Sequence, residues 1–321
     1  MGIKQLITWT QKHTTLLIVA DMLVALGFSY LWSAPILFLK KYALLASFLM
    51  VYPIMINTSF NEIFNLKGRY NLIITAIIFL FVVEPLLLYL ILRLITVDPL
   101  IAAGLMFISI MPTSGMAIVW SKLSKGAPSL TIVILGISLI LSMLAIPLET
   151  HFIIGQYVHI PFTILIKSLL VVLLLPLILG WLTRLAIIKN RGEHRFIELK
   201  PYISSMSKLG LLTIIFIAFG LKGKVLISNP ALVLHIALPM IIFYAIGFSI
   251  LTLLGKLFKS SKSDIIAFNY GCMTKNRSMA TAIAILLLNP LSVTAIALAG
   301  VIAQIPMMLA YSKVIQKIII N

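Results

Sequence analysis

Three stretches of the chain, 71–92, 127–148 and 231–254, run past the roughly 18 apolar residues that mark a membrane-crossing helix, and only Glu84 interrupts them with a charge. Each is long enough to bridge a hydrocarbon layer about 30 Å thick. The rest of the 321-residue chain agrees: 61% of it is hydrophobic and 10% charged, against about 25% charged in a soluble domain. Lipid rather than water is the solvent this sequence is written for.

A formal charge of +17 would suit a nucleic-acid partner if the basic residues shared one soluble face, but they are scattered through short connections between apolar runs. Nucleic acid is therefore excluded as a partner, and the bilayer is expected in its place. Cys272 is the lone cysteine, which rules out an internal disulfide framework and a multi-thiolate zinc site. The polar, basic first 13 residues lead into an apolar stretch with no small-residue cleavage site, so the first helix is expected to be retained.

Ten spans fit the apolar pattern: 14–32, 42–59, 71–95, 98–120, 127–148, 160–187, 206–221, 231–257, 264–287 and 290–312. With the N-terminus inside, 17 of the 25 Lys and Arg fall on the cytoplasmic side, as the positive-inside rule requires. The expectation is a multi-pass plasma-membrane protein with both termini cytoplasmic. A charged segment, 188–205, reads as a cytoplasmic hinge loop. It separates residues 1–187, which hold the first five spans and the start of the second set, from 206–321. Five spans per half is an odd number, so the second half inserts upside down relative to the first, the arithmetic of an inverted repeat.

The fourth and ninth spans occupy equivalent places in the two halves, and both are interrupted: MPTSGMA at 111–117 and MTKNRSMA at 273–280. Pro112 removes a backbone donor and Gly115 tolerates irregular dihedrals, so the helix is expected to open there, with Thr113 and Ser114 able to cap the new N-terminus. The bland alternative is an ordinary proline kink. Span nine carries Thr274, Lys275, Asn276, Arg277 and Ser278, and a charge at mid-bilayer is costly unless paired or hydrated. The alternative there is a span that begins later, although 279–287 alone is too short to cross. Irregular backbone at membrane depth is tolerated where it lines a cavity or is buried in protein, and paired interruptions point to a transporter's binding site.

Asp21 in the first span and Glu84 in the third, just before Pro85, can balance Lys275 and Arg277 or exchange a proton with them. Local packing or snorkelling is the competing reading of both acids. His235 is read as a packing histidine, since no second ligand lies one turn away. No HExxH, GxSxG or GxxxxGKS string occurs, so the usual starting evidence for a metalloprotease, serine hydrolase or ATP-driven pump is missing. The one loose pairing for an intramembrane enzyme is Cys272 with His235, and a channel would want polar residues beyond the breaks. The chain is expected not to be an enzyme and to need no cofactor or metal.

Three strings, MVYPIMINTSFNEI at 50–63, WSKLSKGAPSL at 120–130 and MTKNRSMATAIAI at 273–285, together with the paired breaks, resemble the bile acid:sodium symporter and arsenical-resistance permease superfamily over nearly the whole chain. The resemblance implies an all-α membrane fold of ten helices in two inverted five-helix repeats, with discontinuous, crossing fourth and ninth helices. It further implies a panel domain of spans one, two, six and seven and a core domain of spans three to five and eight to ten. MVYP near the end of span two looks more like the arsenite-permease branch. That branch usually carries a cysteine where Thr113 falls, and an acid before the proline of the last helix, where this chain has Gln304, Ile305 and Pro306. The sodium-coupled branch uses Ser and Asn after the fourth-span break, where Ala117 and Ile118 stand, and Glu and Gln in span nine, where Gly271 and Lys275 stand; Asn276 is kept.

A lysine in place of a cation ligand puts an ammonium where sodium would otherwise bind. The expectation is a sodium-independent secondary transporter for a small anionic or hydroxylated solute, with an arsenite or metalloid permease and a sodium-coupled organic anion symporter as alternatives. Its partners are then a small-molecule or ion substrate and the lipid bilayer. The residues expected to line the site are Thr113, Ser114, Gly115, Thr274, Lys275, Asn276, Arg277 and Gln304, with Lys275, Asp21 and Glu84 balancing charge.

Overall fold

The computed structural model describes residues 9, 13–32, 34–57, 69–95, 97–158, 163, 166–167 and 170–320. Among these the chain is all helical, apart from one isolated backbone bridge. In order, the helices are α1 Thr14–Leu31, α2 Ala34–Lys40, α3 Ala43–Asn57, α4 Tyr70–Ile78, α5 Glu84–Leu94, α6 Pro99–Ser109 and α7 Met116–Leu123. They continue as α8 Pro128–Phe152, α9 Leu175–Ser228, α10 Ala231–Leu257, α11 Lys262–Met273, α12 Arg277–Leu287, α13 Pro290–Ala299 and α14 Ile305–Ile320. Five stretches are long and apolar enough to cross a membrane, or six when the bent α1–α2 pair counts as one. Part of the expected sixth span, 160–187, and the end of the 50–63 string lie outside the described residues.

The surface confirms the solvent. Along α4, α5 and the turn between them, Ile74, Ile78, Val82, Leu86 and Leu90 recur every fourth residue and are half or more exposed, while Phe79, Leu80, Glu84 and Leu88 on the opposite face are buried. A soluble helix reverses that order.

The segment 188–205, read as a loop from its charges, is helical on both sides of a single turn at Gly192, whose φ of 77° only glycine adopts freely. The correction has a simple cause. Lys189, Arg191, Glu193, Arg195 and Glu198 favour helix when water can reach them, and Arg195 pairs with Glu198 one turn on. Charge alone does not signal irregular structure.

Wide π turns recur at one kind of place. Phe79–Val83 precedes Glu84-Pro85, Leu170–Leu174 precedes Leu175-Pro176, and Gly300–Gln304 precedes Ile305-Pro306. Proline lacks an N–H and its ring clashes with the carbonyl four residues back, and inserting one residue relieves both faults. The amide of Glu84 accordingly reaches back to Phe79 and that of Ile305 to Gly300.

Two compact units emerge. One comprises Met1–Thr58, Ile160–Pro230 and Ser278–Ala297; the other comprises Ser59–His159, Ala231–Arg277 and Leu298–Asn321. In the first, α9 lies against α3 so closely that a Cβ on Gly210 would sit 2.5 Å from the Ala46 carbonyl oxygen. Small residues allow such approach where lipid supplies no hydrophobic drive. Polar clasps reinforce it: Ser207 Oγ donates to the Met50 carbonyl (2.6 Å) and Tyr52 bonds Thr183 (2.7 Å).

In the second unit, α4, α8 and α11 begin at one common end. Arg69 pairs there with Asp264 (3.0 Å) and donates to Ser129 (2.9 Å), and the Ala127 amide donates to the Ser263 carbonyl (2.9 Å).

Candidate functional site at the two helix breaks

Every expected site residue from 113 to 115, from 274 to 277, and Gln304 belongs to the second unit, as does Glu84. Asp21 belongs to the first, where its Oδ2 is buried without a hydrogen-bond partner among the described residues.

The expected fourth span is two helices, α6 ending at Ser109 and α7 starting at Met116. The expected ninth is α11 ending at Met273 and α12 starting at Arg277. Each break frees backbone groups that lipid cannot satisfy, and the two breaks satisfy one another. Thr113 and Lys275 face each other in an antiparallel bridge. The Ser114 amide donates to the Thr274 carbonyl (2.7 Å) and the Asn276 amide to the Pro112 carbonyl (2.9 Å). This is a two-rung ladder between two broken helices.

Side chains complete it. The Thr113 hydroxyl donates to the Gly271 carbonyl (2.6 Å), and its amide donates to Ser138 Oγ on α8 (3.1 Å). Had α11 continued, the amide of Lys275 would have filled the Gly271 carbonyl; Thr113 replaces it. Of the two hydroxyls expected to cap α7, only Ser114 reaches back to it, accepting from the Met116 amide (3.3 Å), while Thr113 is turned toward α11. Thr274 donates to the Met308 sulfur (3.6 Å). Gly115 is exposed with open space beside it.

Lys275 is 1% exposed. Its ammonium donates to the Met111 carbonyl (3.0 Å) and forms an ion pair with Glu84, itself 0% exposed. Both ends of the pair are thus out of solvent, where loss of one partner costs about 3–5 kcal/mol. Thr274 and Asn276 are buried too, so the polar cluster at 274–276 is enclosed in protein and is not an aqueous loop.

Arg277 lies beside the π turn of the last helix. A Cβ on Gly300 would overlap its guanidinium, and it interacts electrostatically with Tyr244, whose hydroxyl donates to Gln304 Oε1 (3.0 Å). Gln304 is thereby held by Tyr244 within the protein.

Four contributors have no counterpart in the sequence reading. Ser138, Tyr244 and Gly300 fall at unremarkable positions in apolar helices. Glu149 was placed beyond the fifth span, yet α8 carries it; its Oε2 is buried, and it lies in electrostatic range of Lys275 and Glu84. Thr150 and His151 follow it, so composition gives no signal that the helix runs on. Cys272 is buried in α11, and no cluster of three metal-ligating side chains exists among the described residues.

An apolar helical protein with broken helices joined around an internal lysine is of the membrane-transport class. Residues 44–229 match the sodium bile acid symporter family model, and the chain belongs to that family; it is a membrane transporter. Its relatives include the arsenical-resistance protein Acr3 of Alkaliphilus metalliredigens, 29% identical across 83% of this chain and 78% of that one. An uncharacterized transporter of Synechocystis is 26% identical across 84% and 76%. The Acr3 protein of Corynebacterium glutamicum is 25% identical across 74% and 67%.

Proposed function

We propose that the chain is a sodium-independent secondary transporter of a small anionic or hydroxylated solute, built as two inverted five-span repeats in the plasma membrane with both termini inside and working by alternating access. The observation that carries this is the position of the Lys275 ammonium. It sits where the two broken helices meet, held by the Met111 carbonyl and Glu84, and it stands at the position aligned with the span-nine glutamine of the sodium-coupled branch, which supports an ammonium in place of the cation. A tethered ammonium needs no sodium to complete the site.

The solute class is inferred from the kinds of group that lie beside it. Arg277 and the amino end of α7 offer positive charge and amide donors, and Ser114, Asn276 and Gln304 offer hydroxyl and amide groups. An arsenite or metalloid substrate is the second reading, supported by the similarity to two Acr3 proteins; Thr113 in place of a thiol weakens it.

The test is reconstituted protein assayed for uptake of arsenite and of organic anions such as taurocholate, with sodium or choline as the external cation. Uptake unchanged by replacing sodium supports the reading. Uptake that requires sodium and persists in Lys275→Ala overturns it. A thermal-shift series across the same compounds locates the cargo, because a ligand that binds the folded state raises its melting point.

A further inference from the structure

We propose that Glu149 is a second partner for Lys275, and that Glu84, Lys275 and Glu149 together hold one exchangeable proton, making this cluster the proton-coupling site of the transporter. The inference rests on the transport reading for its purpose, but not for its chemistry.

Three observations carry it. First, the charges do not balance: Glu84 is paired with the one buried ammonium, and a second carboxylate, Glu149, lies in electrostatic range of both. The other ionisable groups facing Glu84 are Tyr244 of α10 and Cys272 of α11, a hydroxyl and a thiol that are neutral in their ordinary state. Arg277 lies instead against Tyr244 and Gly300. Second, Glu84 Oε1 and Glu149 Oε2 are both buried with no hydrogen-bond partner among the described residues, although Glu84 is 0% exposed. A buried acceptor left unfilled costs about 1–3 kcal/mol, and a proton placed on either carboxyl relieves the excess charge.

Third, the two acids lie within about two helical turns of each other on neighbouring helices. Helices α4 and α5 run alongside α8 in the same direction, since Arg69 reaches Ser129 near their starts and Tyr89 reaches Gln156 near their ends (2.9 and 3.2 Å). Glu84 follows Arg69 by fifteen residues and precedes Tyr89 by five, whereas Glu149 follows Ser129 by twenty and precedes Gln156 by seven. At about 1.5 Å per residue their heights differ by about 8 Å counted from the starts and about 3 Å counted from the ends. Lys275 reaches the cluster from the breaks. Its ammonium has three N–H groups, of which the Met111 carbonyl and Glu84 take two.

The exchange balances. In one state Lys275 pairs with ionised Glu84 and Glu149 holds the proton. A proton arriving on Glu84 breaks that pair; the ammonium turns to Glu149, whose own proton leaves, and the net charge of the cluster is unchanged. Coupling to solute movement requires only that the two states differ at the breaks, and Lys275 is part of the ladder that joins them.

The test reads the proton directly. Infrared spectra of the purified full-length protein in lipid nanodiscs at pH 7, in water and deuterium oxide, resolve the carbonyl stretch of a protonated carboxyl. Relative to wild type, Glu149→Gln and Glu84→Gln should each lose one protonated carboxyl per chain, because the remaining acid pairs with Lys275. Lys275→Met should gain one, because both acids are then unpaired. Asp21→Asn should leave these differences unchanged. Glu149→Gln and Lys275→Met move the band in opposite directions, so either variant alone tests the relay if another fails to fold. A Glu149→Gln spectrum that superimposes on wild type, or a Lys275→Met spectrum with no added band, overturns the proposal. No substrate is used, so a failed transport reading and a failed relay are separately visible.

Discussion

Replacing Thr113 with valine changes one atom that matters. The side chain is 1% exposed, its hydroxyl donates to the Gly271 carbonyl at 2.6 Å, and valine keeps its shape while removing the donor. Gly271 stands near the end of α11, where no later amide of that helix can take its carbonyl, so the group is left buried and unfilled. That costs about 1–3 kcal/mol, partly offset by about 0.8 kcal/mol for the extra buried carbon. Thr113→Ser is the control: it retains the hydroxyl and loses one methyl. At about 2–4 °C per kcal/mol for a chain of this order of size, the net loss should lower the melting temperature of Thr113→Val by up to about 9 °C relative to wild type in matched detergent, while Thr113→Ser should lose only about 0.8 kcal/mol with its methyl. A Thr113→Val melting temperature at or above that of wild type would refute the assignment of the hydroxyl as the cap of α11.

Gly300→Ala places a methyl on the Arg277 guanidinium and should destabilise by about 1–3 kcal/mol; adding Arg277→Ala should recover part of the loss, a coupling that a double-mutant thermal-melt cycle measures. On the lipid-facing stripe, Ile78→Arg should lower the yield of membrane-inserted protein through an insertion cost of about 2.5–3.5 kcal/mol near mid-membrane. Ile78→Ala should insert normally, as quantitative membrane fractionation would show.

The parts of the fold that follow from local chemistry were legible. Pro128 and Pro290 open α8 and α13, as a residue without an N–H should at a first turn, and the apolar run from Ala231 to Leu257 is one helix with the expected bounds. What failed was the reading of charge as loop at 188–205, where water-exposed helix satisfies the same composition. The site was partly legible for a related reason. Pro112 and the polar run at 274–277 are conspicuous in an apolar chain, whereas Tyr244, Ser138 and Gly300 differ from their neighbours only once the chain is folded. Glu149 was missed because span length was taken from composition, and a single acid at a helix end looks like its terminus.

A lone break in a membrane helix strands carbonyls at one new end and amides at the other, with no water to fill them. Two breaks that meet can cancel most of that cost, and here the cancellation is specific: the Pro112 and Thr274 carbonyls are filled by amides from the opposite break, and the Met111 carbonyl by an ammonium. The lysine therefore has a structural duty wherever its charge is paired, and any shift of Lys275 between Glu84 and another carboxylate must disturb the ladder it helps to hold. On the proposed reading that is how a proton is felt by the solute site. The same ammonium closes the helix break and answers the buried acids, so it cannot change one partner without altering the other.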